Sequence, residues 1–406
     1  SACLTEGEFV TNSETKKFPQ NVSSSYHLKD KGNNAPKLRF KGYNDEWKKV
    51  KIGEIYKERS ERGNTNAELL SVTMNDGVKR RIDIEGKDIS SEDKSNYKSV
   101  YIGDMVYNSM RMWQGANGIS NYDGIVSPAY TVMFPRIELC NNFIGYLFKY
   151  EPLIFLFRRY SQGLTSDTWN LKYPQIKQLS ILIPSLPEQE KIASFLTLID
   201  KKIEKQKELV ELLKKYKRGL LSQIFSQKLR FKDDNGNDYP EWKETRLEKI
   251  LKIKHGKSQK GIECEAGKYP ILATGGQIGR TNSYLWNKPC VLIGRKGTID
   301  KPQYMETPFW TVDTLFYSEV FKENNAKYLY YLFNTINWKK YDESTGVPSL
   351  SAKTIERIKV TLSMNSSEQH LISKFLSKFD DKIRREERLL NYLQTYKKGL
   401  LQQLFI

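Results

Sequence analysis

The strongest constraint on this chain is that it writes one phrase twice. "KKYKRGLLSQIF" occupies 214–225 and "QTYKKGLLQQLF" occupies 394–405. Aligning 188–225 with 368–405 needs no gap. The offset is 180 throughout and 17 of the 38 positions are identical, among them Glu188/Glu368, Gln189/Gln369, Asp200/Asp380, Ile203/Ile383 and Gly219/Gly399. Chance does not produce this, so two copies of one supersecondary plan must be accommodated.

The copying reaches further back. "KLRF" at 37–40 recurs at 228–231, each time followed by an acidic, turn-like stretch and a Glu-Trp pair, Glu46-Trp47 and Glu241-Trp242. Met110-Arg111 with Gly115 resembles Gly294-Arg295 with Gly297, each after a short apolar run, and "NNFIGYLFKY" at 141–150 echoes "NNAKYLYYLF" at 324–333. The order is body, helix, body, helix.

The stretch 188–225 has no proline, a single glycine (Gly219) and Pro187 just before it, which predicts one long helix. A heptad reading puts Ile192, Ile199, Gln206, Leu213 and Leu220 at a, and Phe195, Lys202, Leu209, Tyr216 and Gln223 at d; position e (Leu196, Ile203, Val210, Ile224) is also mostly apolar. In the second copy a holds Ile372, Phe379, Glu386, Leu393 and Leu400, and d holds Phe375, Lys382, Leu389, Tyr396 and Gln403. The apolar a and d residues predict a coiled-coil seam, and its polar interruptions coincide in the two copies, a device that fixes register and partner. Such a helix is about 57 Å long, so a second one can run back along it. The expectation is an antiparallel pair with a body at each end and an internal pseudo-twofold axis, with Gly219 and Gly399 permitting close approach of a body or a partner.

The bodies carry short β-rich runs, a helix-like stretch near 143–160 or 326–341, then a Gly- or Ser-rich loop and a last strand, which predicts α+β (mixed α/β) domains. Lys and Arg outnumber Asp and Glu by 66 to 48 in 406 residues, a formal charge of +18. That balance favours a polyanionic partner, either nucleic acid or an anionic membrane surface. No apolar run approaches the ~18 residues of a membrane span, and no signal-peptide core opens the sequence. Four scattered cysteines without a Cys-x-x-Cys pair and three distant histidines argue against a zinc site, a disulfide framework or a His-centred nuclease, and fit a reducing cytosol.

Loops between the predicted strands mix the residue types that read DNA. Arg suits guanine edges, Asn and Gln suit adenine, Lys suits phosphates, and Gly lets backbone approach closely. In the first body these are Arg111, Trp113, Gln114 and Asn117; in the second, Lys257, Lys260, Gln277, Arg280, Arg295 and Lys296. Trp113 suits a core position equally, and Arg280 and Arg295 suit structural ion pairs.

Catalytic motifs fail on inspection. "GKS" at 256–258 lacks the phosphate-loop glycine, since position 251 is Leu; "GGQIG" at 275–279 is not a dinucleotide fingerprint. "EGK" at 85–87 with Asp83 has no counterpart in the second body, and Asp380-Asp381 reads as a solvated helix face.

The helix motifs "PSLPEQEKIASFL" and "SSEQHLISKFL", the twin Tyr-Lys-(Arg/Lys)-Gly-Leu-Leu phrases, and the body segments "GDMVYNSMRMWQGANGIS", "DGIVSPAY", "YPILATGGQIGR" and "LIGRKGTID" resemble the specificity subunit of type I restriction–modification systems, over about 35–406. The resemblance implies an N-terminal extension at 1–34, target-recognition domains at 35–186 and 228–365, and conserved spacer helices at 187–227 and 366–406. It implies a non-catalytic subunit in which each domain reads half of a bipartite double-stranded DNA site. The helices would set the spacer and dock two methyltransferase subunits, with restriction subunits joining the larger complex in a bacterial cytoplasm. S-adenosylmethionine, ATP and Mg²⁺ would belong to those partners, whose holoenzyme is an adenine-N6 methyltransferase and ATP-dependent endonuclease. The "PEQ" and "SEQ" segments and exposed helix residues are candidates for docking. A stand-alone nuclease and a coiled-coil scaffold for proteins are the alternatives.

Overall fold

The computed structural model describes residues 9–11 and 34–406 apart from Asn75 and Ile89. Of the extension expected at 1–34, only Asn34 and the strand Phe9–Thr11, paired antiparallel with Leu38–Phe40, fall within the described residues.

The chain forms two compact units, Ser1–Lys205 with Leu390–Ile406, and Gln206–Leu389. Each holds the same antiparallel four-stranded sheet. In the first unit the strand order is Tyr56–Glu58, Tyr130–Pro135, Met105–Asn108, Asn117–Ile119; in the second it is Leu251–Lys254, Leu315–Val320, Cys290–Gly294, Gln303–Met305. A two-stranded ribbon joins the start of each body to its end, Lys48–Lys51 with Ser180–Ile183 and Lys243–Arg246 with Lys359–Leu362. A β-hairpin accompanies each sheet: Leu70–Thr73 with Gly77–Arg80, and Tyr269–Ala273 with Gly276–Thr281. The second hairpin gains a parallel strand, Trp310–Thr311.

The long helices are Leu186–Phe225 and Ser366–Leu404. Neither belongs to one unit. The first unit combines the N-terminal half of the first helix with the C-terminal end of the second, so Ile192, Phe195 and Leu196 share a core with Leu400, Leu401, Leu404 and Phe405. The second unit mirrors this, with Leu220, Leu221 and Ile224 packed among Ile372 and Leu376. In both, rising numbers on one helix meet falling numbers on the other, so the pairing is antiparallel. The repeated terminal Phe fills the same socket twice. Phe405 lies against Trp47, Phe143 and Tyr150, and Phe225 against Trp242 and Tyr328.

The helix seam differs from the a/d reading. Positions a and e face inward: Leu196, Val210, Leu213, Leu220 and Ile224 are buried in the first copy, Leu376, Ile383, Leu393 and Leu400 in the second. Ile192 and Ile372 are fully buried, Phe195 barely exposed, and Ile199, Phe375 and Phe379 half-buried beside the bodies. Leu209, Leu389 and Tyr396 are exposed instead, Tyr396 at 46 %, and Tyr216, 56 % exposed, keeps a ring contact with Phe379 at 5.7 Å. An apolar stripe three positions wide admits two seams four and three residues apart, a/d and e/a, and packing selected the second. Polar groups close it. Gln206 donates to the Glu386 carboxylate at 2.7 Å, Lys217 pairs with Asp380, and Lys397 pairs with Asp200 at 2.6 Å. Asp380 also accepts from the Tyr331 hydroxyl at 2.5 Å and Asp200 from Tyr146 at 2.8 Å. The first member of the Asp380-Asp381 pair is therefore a bracket between helix and body rather than part of a solvated face. Gly219 and Gly399 make no close approach to other described residues, since a Cβ at either would meet nothing within 4 Å.

The glutamates and glutamines that open the helices are buried, which removes "PEQ" and "SEQ" as docking surfaces. Glu188 binds Arg39 of the first "KLRF", and Glu368 binds Arg230 of the second. Gln189 accepts from the Cys140 amide and donates to the Pro184 carbonyl; Gln369 does the same with Asn325 and Ser363. These side chains fasten the first helical turn to the body that precedes it.

Candidate nucleic-acid interface

In the first unit the sheet strand Met105–Asn108 runs into a tight turn, Met112–Gln114, closed by Gly115 at φ 84°, a left-handed conformation that glycine adopts without strain. Met112 is buried beneath it, which turns Arg111, Trp113 and Gln114 outward. Trp113 is half-buried. Its ring meets Trp169 edge-on at 5.3 Å and its indole N–H donates to the Met110 carbonyl. The Arg158 guanidinium lies 6.0 and 5.4 Å from the two ring centres, a cation–π arrangement at the surface.

Asn117 does not belong with these residues. It is 0 % exposed, and its Nδ2 donates to the Phe148 carbonyl at 3.2 Å. It starts a sheet strand and its side chain turns inward, with Nδ2 spent on that carbonyl and the buried Oδ1 without a partner, so it holds the loop and cannot read a base. Lys149 works alongside it. Its ammonium donates to the Gly115 carbonyl at 2.6 Å and the Met74 carbonyl at 2.9 Å, and burial, helped by repulsion from Lys397, lowers its pKa to about 8. The hairpin Leu70–Arg80 presses on the same strand: a Cβ on Gly118 would fall 2.8 Å from the Gly77 Cα. The same hairpin carries Lys79 and Arg80, residues the sequence reading passed over; Arg80 lies over the Tyr122 ring at 5.7 Å and pairs with Asp83. The Asp76-Gly77 turn followed by Val-Lys-Arg-Arg was the available signal.

In the second unit three loops meet. A Cβ on Gly256 would sit 2.0 Å from the Val312 carbonyl oxygen, so only glycine lets the segment at 255–257 lie against 311–312. The Lys257 amide donates to the Thr311 carbonyl and the Trp310 indole to the Lys257 carbonyl. Strand Trp310–Thr311 pairs with the hairpin strand Tyr269–Ala273, and Thr274 at the hairpin's end lies beside Gly294, where an added Cβ would come within 3.1 Å of its methyl. Lys257, Gln277 and Lys296 are each exposed on these segments. Lys260 is exposed on the adjoining turn. Arg280 is tied down, with Nε donating to the Gly267 carbonyl at 2.6 Å and Nη2 to the Lys268 carbonyl. Arg295, half-buried, donates to the Asp313 carbonyl at 3.3 Å and faces its carboxylate at 3.8 Å. Sequence reasoning also missed an open cleft of about 660 Å³ in this unit, lined by Lys288, Lys322, Lys327, Lys374 and Lys378.

Among the described residues no group of three or more His, Cys, Asp or Glu is placed to hold a metal ion, and no helix is long and apolar enough to cross a membrane.

The family model described as the type I restriction modification DNA specificity domain matches residues 44–214 and 239–395. The MjaIX type I restriction enzyme specificity subunit of Methanocaldococcus jannaschii is 29 % identical over 150 residues, 34 % of each chain. The putative MjaX specificity subunit of the same organism is 26 % identical over 229 residues, 51 % of this chain and 52 % of its own. The chain thus spans a third to a half of the curated relatives it matches. Among solved structures, the type I restriction–modification S subunit from M. genitalium is 20 % identical with a TM-score of 0.58, covering 92 % of this chain and 99 % of that one. A chain from a study of type I restriction–modification complex assembly and conformational transition gives 15 %, 0.57, 89 % and 98 %. At these identities the likeness speaks for the fold.

Proposed function

The chain belongs to the type I restriction–modification DNA specificity domain family, and from that premise we propose that it is a specificity subunit whose two units each read one half of a bipartite duplex DNA site. The observation that carries this reading is the repeated architecture. One sheet order, one helix socket and one set of Glu, Gln and Asp brackets occur twice, while the exposed loops differ between the copies. Two equivalent frames with unlike surfaces suit two unlike half-sites. Arg111 and Gln114 in the first unit, and Lys257, Lys260, Gln277 and Lys296 in the second, are the proposed DNA contacts. Arg280 and Arg295 serve mainly to shape their loops. Lys79, Arg80 and the five-lysine cleft supply charge for phosphates.

The chain itself performs no chemistry in this reading. Methyl transfer and ATP-driven cleavage belong to partner subunits, with S-adenosylmethionine, ATP and Mg²⁺ bound there. Each long helix offers the same largely exposed apolar face at the spacing of one helix side: Leu209, Leu212, Tyr216 and Gly219 on the first, Leu389, Tyr392, Tyr396 and Gly399 on the second. We assign these faces to two methyltransferase subunits, one per helix, because the internal repeat presents one docking surface twice.

The test is a map of methylated adenines in DNA from cells carrying this chain and its methyltransferase partner. A bipartite motif with a fixed spacer is expected, and replacing one body should change one half-site. A body swap that altered both halves, or methylation without a motif, would overturn the proposal. Binding should also weaken steeply with salt, as counterion release requires.

A further inference from the structure

Two loops outside the predicted sites share a feature. In the first unit the segment 161–170 connects the helix Glu151–Tyr160 to the last part of the body. Gln162 and Asn170 exchange backbone hydrogen bonds at 2.9 and 2.8 Å across its base, and Thr168 bonds back to Thr165. Gly163 sits at φ 152° with the Thr168 carbonyl oxygen 2.6 Å from where a Cβ would be. The next residue, Leu164, is 101 % exposed. In the second unit the segment 342–350 follows the short helix Trp338–Tyr341. The Asp342 carboxylate accepts from the Ser344 and Ser349 amides, and the Glu343 amide donates to the Ser349 carbonyl. Again the residue after a glycine, Val347 after Gly346, stands out at 68 % exposure.

Both loops are anchored at one equivalent point of the candidate interface. The Leu171 amide donates to the Ser109 carbonyl, just past the strand Met105–Asn108; the Leu350 amide donates to the Arg295 carbonyl, just past Cys290–Gly294. Further ties follow in each unit, Trp169 against Trp113 and the Gly297 amide to the Pro348 carbonyl. Each loop is also preceded by adjacent exposed cations, Arg158-Arg159 or Lys339-Lys340.

A single exposed aliphatic side chain is ordinary. Here an exposed aliphatic tip occurs in both bodies, seven residues before the anchor Leu171 in one and three before Leu350 in the other, on loops whose backbone is bonded at the base, that follow paired cations and that are anchored to the segments flanking the base-reading candidates. Holding it in water gains nothing in the free chain, whereas a fixed apolar tip lowers the ordering cost of a later contact. The chemistry that accepts an apolar tip between cations is a DNA groove, where the thymine methyl is the apolar feature of a base edge.

We propose that Leu164 and Val347 are specificity-determining residues, each touching a thymine methyl in the half-site of its own unit. This rests on the DNA-reading proposal above. The experiment uses the full chain assembled with its methyltransferase partner, a DNA library with randomised half-sites, and Leu164→Ala and Val347→Ala variants whose melting temperatures are first shown to match the parent. Leu164→Ala should lose about fourfold preference, one buried methyl's worth, at one A·T position of one half-site, and Val347→Ala at one position of the other, with unchanged salt slopes. Replacing that thymine with uracil should weaken the parent equally and leave the variant unaffected. Retention of full preference by both variants, or equal uracil sensitivity in parent and variant, overturns the assignment. If the parent itself selects no bipartite site, the failure lies in the DNA-reading proposal.

Discussion

The two units solve one problem with different wiring. In the first, Glu188 gives one carboxylate oxygen to the Arg39 Nε and the other to its Nη2, both at 2.8 Å, and side-chain exposures of 2 % and 7 % leave the pair almost without water. In the second, Glu368 divides itself between Arg230 at 3.3 Å and the Trp242 indole at 3.0 Å, and Arg230 keeps 26 % of its side chain exposed. The matching tryptophan of the first unit, Trp47, is buried with no hydrogen-bond partner for its Nε1. A duplicated motif has thus kept its task, fastening the entry strand to the helix start. The first copy concentrates it in one bidentate charge pair and the second divides it between a partly exposed guanidinium and an indole.

The sharpest way to break this comparison is to delete each arginine. Arg39→Ala strands a buried carboxylate and should cost about 3–5 kcal/mol. Arg230→Ala leaves the buried Glu368 its Trp242 indole donor and vacates a site that is itself partly open to solvent, and should cost less, about 1–3 kcal/mol. Urea titrations followed by tryptophan fluorescence measure both; equal costs would mean that the wiring difference has no energetic content.

The next effect separates holding a loop from reading DNA. Asn117→Ala removes the donor to the Phe148 carbonyl and should destabilise the first unit by about 1–3 kcal/mol. Gln114→Ala, on the exposed side of the same loop, should leave the melting temperature unchanged and weaken binding to specific DNA. The reverse pattern would restore Asn117 as a reader.

Smaller still, Gly219→Ala and Gly399→Ala should each stabilise the isolated chain by about 0.5–1 kcal/mol, since both are helical and a Cβ meets open space. If the assigned faces receive partner subunits, the same changes should weaken methyltransferase binding in pull-down titrations. Stabilisation with unaltered binding would remove the glycines from the docking face.

A further effect is a pH slope confined to the first unit. Lys149 has a folded-state pKa of about 8, below its unfolded value. Between these values the unfolded chain holds the extra proton, so stability contributed by this group rises with pH from about 8 upward. Lys149→Met abolishes that rise, and the difference in melting temperature between parent and variant should grow in the parent's favour from pH 8 to 10. A flat difference would mean that the amine is not held as described.

Much of this was readable in advance because it was written twice. The 180-residue offset predicted the long helices, and the "KLRF", Glu-Trp and Glu-Gln echoes marked the frame they are fastened to. The helices run over 186–225 and 366–404. Less legible were the side chains whose role depends on what lies opposite. Asn117 carries a residue type suited to adenine, and nothing in "RMWQGANG" says that the Phe148 carbonyl waits beneath it. Leu164 and Val347 gave no sequence signal, because an aliphatic residue in a loop reads as unremarkable until its exposure is known.

The sequence by itself determined that two like helices and two like bodies alternate, since periodicity and local propensity are properties of the chain alone. Only the tertiary structure decided that the end of each helix serves the unit that the other helix begins, and that the seam runs along a and e rather than a and d. The stripe of apolar positions was wide enough for either choice, and the partner helix and the Trp47 and Trp242 sockets selected between them.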